Sequence, residues 1–205
     1  MAGLGLVVIA IVMTLAKIEL GEVQPACTYA TKILCLELAV SGEQLNQVIH
    51  GPTSVALWRF HLGIDFPYLV FYATVFAGAF FRAGRGGRLA ASLIIVAALL
   101  DAVENITLLL AVGGEVTDAH ALWARTAAHG KFLLLAISVS FGMILLGRES
   151  RQLPAKLAFW LCGLLCAVGW VGPESAVALE VGGAGLALAS VVLTLRAISR
   201  LRQTG

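Results

Sequence analysis

Carboxylates stand in this chain where hydrocarbon is the expected neighbour. Residues 89–112 read LAASLIIVAALLDAVENITLLLAV, an apolar run whose ionisable interruptions are Asp101 and Glu104, with Asn105 beside them. Residues 58–81, WRFHLGIDFPYLVFYATVFAGAFF, carry Asp65 in the same way. A run of about 20 apolar residues is the length that crosses a bilayer. A carboxylate inside such a run is costly unless it faces protein, water or a partner, which makes it a functional-site candidate.

Composition agrees with the runs. Of the 205 residues, 60% are hydrophobic and 13% charged, against roughly 25% charged in a soluble domain. That much apolar surface has no room inside one small soluble core. The chain is expected to be an all-α polytopic transmembrane helix bundle forming a single integral membrane domain over residues 1–205. A net charge of +2 gives no basic face of the kind nucleic acid requires, so membrane lipid is the expected partner.

Six candidate spans follow: 3–20, 54–82, 88–112, 119–147, 155–172 and 175–195. They describe a four-helix core plus two C-terminal helices, or a peripheral N-terminal helix. The first has no Lys or Arg ahead of it and is read as a retained helix. Gly113-Gly114 and Gly172-Pro173 mark breaks. Nine of the 14 Lys and Arg residues fall in three places: Arg82 to Arg88, Arg148 to Lys156, and the tail from Arg196. Six crossings put all three on one side, and the positive-inside rule then makes both termini cytoplasmic in a multi-pass cell-membrane protein.

Residues 21–52 form the long extracytoplasmic connection. Its apolar part, residues 28–40, carries Lys32 and Glu37 and is too short to cross, so an interfacial helix is expected. Ser41 followed three residues later by Gln44 is a helix-start signal. Of the four cysteines, Cys162 and Cys166 sit one turn apart in an apolar helix as small buried residues. Cys27 and Cys35 lie in the outer connection, where sequence leaves a bridge open.

Helical spacing gathers the polar groups. His61, Asp65, Tyr68 and Tyr72 share one face of the second span, and Asp101, Glu104 and Asn105 share one face of the third. Pro67 cannot donate to the Gly63 carbonyl, so a kink or an exposed acceptor is expected beside Asp65. On the fourth span Lys131 shares a face with Ala124, Ala127 and Ser138, while His129 points elsewhere, over Arg125. At a rise of about 1.5 Å per residue, Asp65, Asp101, Glu104, His129 and Lys131 come to one layer roughly 12–18 Å from the outer ends. Lys131 is the natural counter-charge for Asp65, Asp101 or Glu104. The candidate ligand-binding or ion-pair cluster is therefore Asp65, Tyr68, Tyr72, Asp101, Glu104, Asn105, His129 and Lys131.

No metal or cofactor is implied. The histidines lack the H-x-x-x-H spacing of a helical metal site, and RAGRGGR lacks the lysine of a phosphate loop. Trp58, Trp123 and Trp170 near the outer ends of spans, and Trp160 near the inner face, read as interfacial anchors. Glu180 stands alone among Gly182, Gly183 and Gly185, which permit close helix approach.

Residues 36–147 resemble a family of bacterial polytopic membrane proteins. The resemblance rests on Leu36-Glu37-Leu38, Ile64-Asp65-Phe66-Pro67 with Tyr68 and Tyr72, Leu100-Asp101-Ala102-Val103-Glu104-Asn105, and Lys131-Phe132. It implies a four-helix core with additions and brings no substrate with it.

Three functions fit these observations. The buried layer binds or transports a small ion, a proton or an amphiphilic ligand. Alternatively it is the centre of an intramembrane lipid-modifying enzyme, with Asp65, Asp101 or Glu104 as acid or base. In the third case the chain is an accessory subunit of a larger membrane complex or a homo-oligomer, its carboxylates pairing with another chain.

Overall fold

Among the described residues of the computed structural model, every element is a helix. The model describes residues 32–50, 55–150, 153–170, 182 and 185–196. Two short helices, α1 (Lys32–Glu37) and α2 (Gly42–Ile49), precede three long ones. The long helices are α3 (Val55–Phe81), α4 (Gly84–Gly113) and α5 (Asp118–Glu149). α6 (Leu153–Trp170) and α7 (Gly185–Arg196) are shorter apolar helices.

The long helices have 27, 30 and 32 residues, or roughly 40–48 Å at the helical rise. All three are long and apolar enough to cross a bilayer. The six-span count is thus met by three among the described residues. The segment 3–20, Glu180 and the break at Gly172-Pro173 lie outside them.

The expected loop over residues 82–88 is a tight turn instead. Helix α4 already begins at Gly84, whose φ of 70° is the left-handed value that an L side chain resists. The Ala83 amide donates to the Phe80 carbonyl at 2.8 Å and closes the turn. Arg85 and Arg88 therefore ride on the first turns of α4. Pro67 sits inside α3, and the helix runs through it.

Residue contacts divide the described chain into two units. The first contains the described residues up to Val70 and Leu99–Lys131. Its core joins Leu36 of α1, Leu45 and Ile49 of α2, Trp58 and Leu62 of α3, Leu108 and Val112 of α4, and Ala121 and Ala124 of α5. Trp58 is fully buried there, not anchored at the lipid interface as expected. It lies on the inward side of α3 one turn before Leu62, whereas Trp123 is exposed on α5.

The short helices of this unit are held by their starts. Ser41 caps α2, its Oγ accepting from the Gln44 amide at 3.2 Å, while Gln44 Oε1 accepts from the Val40 amide at 2.8 Å. The Gly42 amide donates to Asp118 Oδ1 at 2.7 Å, which ties the start of α2 to the start of α5. A Cβ at Gly42 would lie 2.7 Å from backbone atoms of Thr117 and Asp118, so the contact requires glycine.

The second unit contains Phe71–Ala98 and the described residues from Phe132 onward. Phe76 and Phe80 pack with ring centroids 5.8 Å apart, and Gly142 lets α5 approach the Phe80 ring. Ser140 Oγ donates to the Gly163 carbonyl at 2.8 Å and links α5 to α6. Gly185 lies against the Cys166 backbone, the close helix approach its sequence neighbourhood suggests.

Candidate carboxylate–lysine centre

Helix α4 inverts the pattern of a soluble amphipathic helix. Leu99, Val103, Ile106 and Leu110, spaced i, i+4, i+7 and i+11, are exposed. Asp101, Glu104, Asn105 and Leu108 on the other side are buried. Charged groups turn inward and leucines outward, as expected where the surroundings are hydrocarbon. All of these residues lie in the first unit, as do Glu37, Asp65 and Lys131.

Lys131 is the hub. Its Nζ donates to Asp101 Oδ1 at 2.9 Å and to Glu37 Oε1 at 3.3 Å, and it lies 2.9 Å from Glu104 Oε2. Three carboxylates from two helices thus share one ammonium from a third, which has three protons to give. Asp65 is not paired to this nitrogen directly. Its Oδ2 accepts from Asn105 Nδ2 at 2.6 Å, and it lies within electrostatic range of Asp101, Lys131 and Glu37. Tyr68, half-buried, is likewise within range of Asp65, Asp101 and Lys131.

The structure therefore brings together Asp65, Tyr68, Asp101, Glu104, Asn105 and Lys131. Tyr72 is buried on the same helix, one turn beyond Tyr68. His129 turns back on its own helix, where Nδ1 donates to the Arg125 carbonyl at 2.7 Å. The angular offset of His129 from Lys131 on α5 is the physical reason. His61 is buried on α3 one turn before Asp65.

Sequence reading left Glu37 out. It belongs to a six-residue helix of the outer connection, and a reading that looks only inside spans passes over it. The available signal was a carboxylate flanked by Leu36 and Leu38, both of which are buried. Cys35, two residues earlier, is disulfide-bonded, which settles for that residue the bridge that sequence left open. Cys27 lies outside the described residues. Cys162 and Cys166 are free and buried.

Burial is graded across the centre. The side chain of Glu37 is 13% exposed, those of Lys131 and Asp101 7%, and that of Glu104 not at all. Glu104 Oε1 has no hydrogen-bond partner among the described residues. Chemically, the arrangement can hold positive charge and can pass protons between acids that share one donor. Comparison with protein-family models, with curated proteins and with solved structures gives no match.

Proposed function

We propose that this chain is an integral membrane protein whose buried carboxylate–lysine centre binds a small cation, as a proton or a metal ion. The observation that carries the reading is the gathering of acids: Glu37, Asp101 and Glu104 contact one ammonium. Carboxylates crowded together in a low-dielectric interior are costly when ionised, and taking up positive charge relieves that cost. Asp65, held by the neutral amide of Asn105, adds to the demand.

Carboxylates serving as docking points for another chain would face outward, and these face one another. That favours a self-contained binding centre over the accessory-subunit reading.

The centre's orientation follows from the same reading. Arg82, Arg85 and Arg88 at the α3–α4 turn, with Arg148 at the end of α5, belong on the cytoplasmic side. Arg196 at the end of α7 lies 3.9 Å from Glu149 at the end of α5. The bonded Cys35 suits the opposite, oxidising side. Six crossings leave both termini cytoplasmic.

The test uses full-length protein in lipid nanodiscs. Radioactive sodium, rubidium and calcium are assayed for binding, and infrared spectroscopy reports any protonated carboxyl. A bound cation or an exchangeable carboxyl proton, altered in Lys131→Met, supports the reading. Absence of both in the wild-type protein rejects it.

A further inference from the structure

The place that a metal ion would take among Glu37, Asp101 and Glu104 is already filled. Lys131 Nζ lies 3.3, 2.9 and 2.9 Å from their oxygens. Calcium requires roughly six to eight oxygens around an open position. Among the described residues no group of three His, Cys, Asp or Glu stands around such a position. The unmatched feature is the Glu104 carboxylate: both of its oxygens are buried without a hydrogen-bond partner among the described residues, Oε2 keeping only its ionic contact with Lys131 and Oε1 not even that. An ionised carboxylate keeps half its charge on Oε1 with no donor to stabilise it. A proton on Oε2 leaves Oε1 as the carbonyl oxygen of a neutral acid, a far smaller desolvation cost.

We propose that Glu104 carries the proton of this centre and exchanges it with water on the α1 side by way of Lys131 and Glu37. The proposal rests on the cation-binding reading above and names the cation as H+. Exposure falls from Glu37 through Lys131 to Glu104, which gives the path its direction. The transfer balances. A hydronium ion gives a proton to the Glu37 carboxylate: one O–H bond of the hydronium breaks, a Glu37 O–H bond forms, and water is left. That proton passes to Lys131 Nζ as one N–H bond of the ammonium breaks toward Glu104 Oε2. Glu37 is again a carboxylate, Lys131 is again an ammonium, and Glu104 is the neutral acid. The charged groups acting on Glu104 are Glu37 from α1, Asp101 from its own helix and Lys131 from α5. Asp65 of α3 acts on Asp101 and Lys131 behind them.

The experiment is infrared spectroscopy of full-length protein in nanodiscs during exchange from H2O to D2O. The expected result is a protonated-carboxyl band that shifts in D2O, vanishes in Glu104→Gln and persists in Asp65→Asn. Its exchange is expected to slow by about 100-fold or more in Glu37→Gln, because a positioned acid–base group is worth that much in rate. If Glu104→Gln does not fold, Glu104→Asp must move the band's frequency. A wild-type protein without the band overturns the proton assignment. If the same nanodiscs then bind sodium or calcium, the broader cation reading survives; if they bind neither, both fall. A band that remains in Glu104→Gln and disappears in Asp101→Asn overturns the choice of Glu104. Exchange unchanged in Glu37→Gln overturns the path.

Discussion

At the scale of single residues, Lys131 has the largest effect on the fold. Removing one partner of a buried ion pair leaves uncompensated charge and costs roughly 3–5 kcal/mol, and Lys131 serves three carboxylates at once. Lys131→Met should therefore lower the melting temperature sharply in detergent. Combining it with Asp101→Asn and Glu104→Gln should recover much of the loss, because the two deeper acids then go with the ammonium and only Glu37, the most exposed of the three, remains. An unchanged melting temperature in the single variant rejects the hub role. Asn105→Ala is a milder case. It strips Asp65 of its 2.6 Å donor, and a lost buried hydrogen bond to a charged group costs about 1–3 kcal/mol. Thermal unfolding of Asn105→Ala beside Asn105→Asp separates that loss from the repulsion a second carboxylate adds.

Elements place these residues, and their ends are where local chemistry is most exposed to test. Helix α1 brings Glu37 to Lys131, and α2 supports it through the shared core of Leu36, Leu45 and Ile49. Ser41→Ala removes the cap on Gln44 and should cost about 1 kcal/mol. Gly42→Ala should cost more, roughly 1–3 kcal/mol, since its Cβ meets the Thr117 and Asp118 backbone. Chemical unfolding that ranks Ser41→Ala as the more damaging of the two would contradict the α2–α5 contact. Much of this was legible beforehand. Ser41 and Gln44 announced the start of α2, and Gly113-Gly114 announced the end of α4. The start of α4 was not legible, because the charged, glycine-rich stretch from Arg82 looks like a loop. One residue with φ of 70° at Gly84 turns the chain in so little length that the arginines join the helix.

For the molecule as a whole, the testable matter is which ends face which side. Cysteines introduced at Arg85 and at Glu43, both exposed, should behave oppositely toward a membrane-impermeant maleimide in intact cells. The Glu43→Cys thiol should react at once and the Arg85→Cys thiol only after permeabilisation; the reverse order overturns the orientation. What sequence alone determined is a membrane helical protein with inward-facing carboxylates. Apolar run length and the i, i+3, i+4 spacing of Asp101, Glu104 and Asn105 are properties of one helix at a time, so no partner need be known to read them. Only tertiary structure decided which groups meet. Lys131 had three candidate partners in sequence and took two of them, while Asp65 went to Asn105. Glu37, 94 residues from Lys131, entered the centre from outside the spans. Helix rotation and the packing of a short helix against the bundle set those pairings, and neither is written in the periodicity of a single segment.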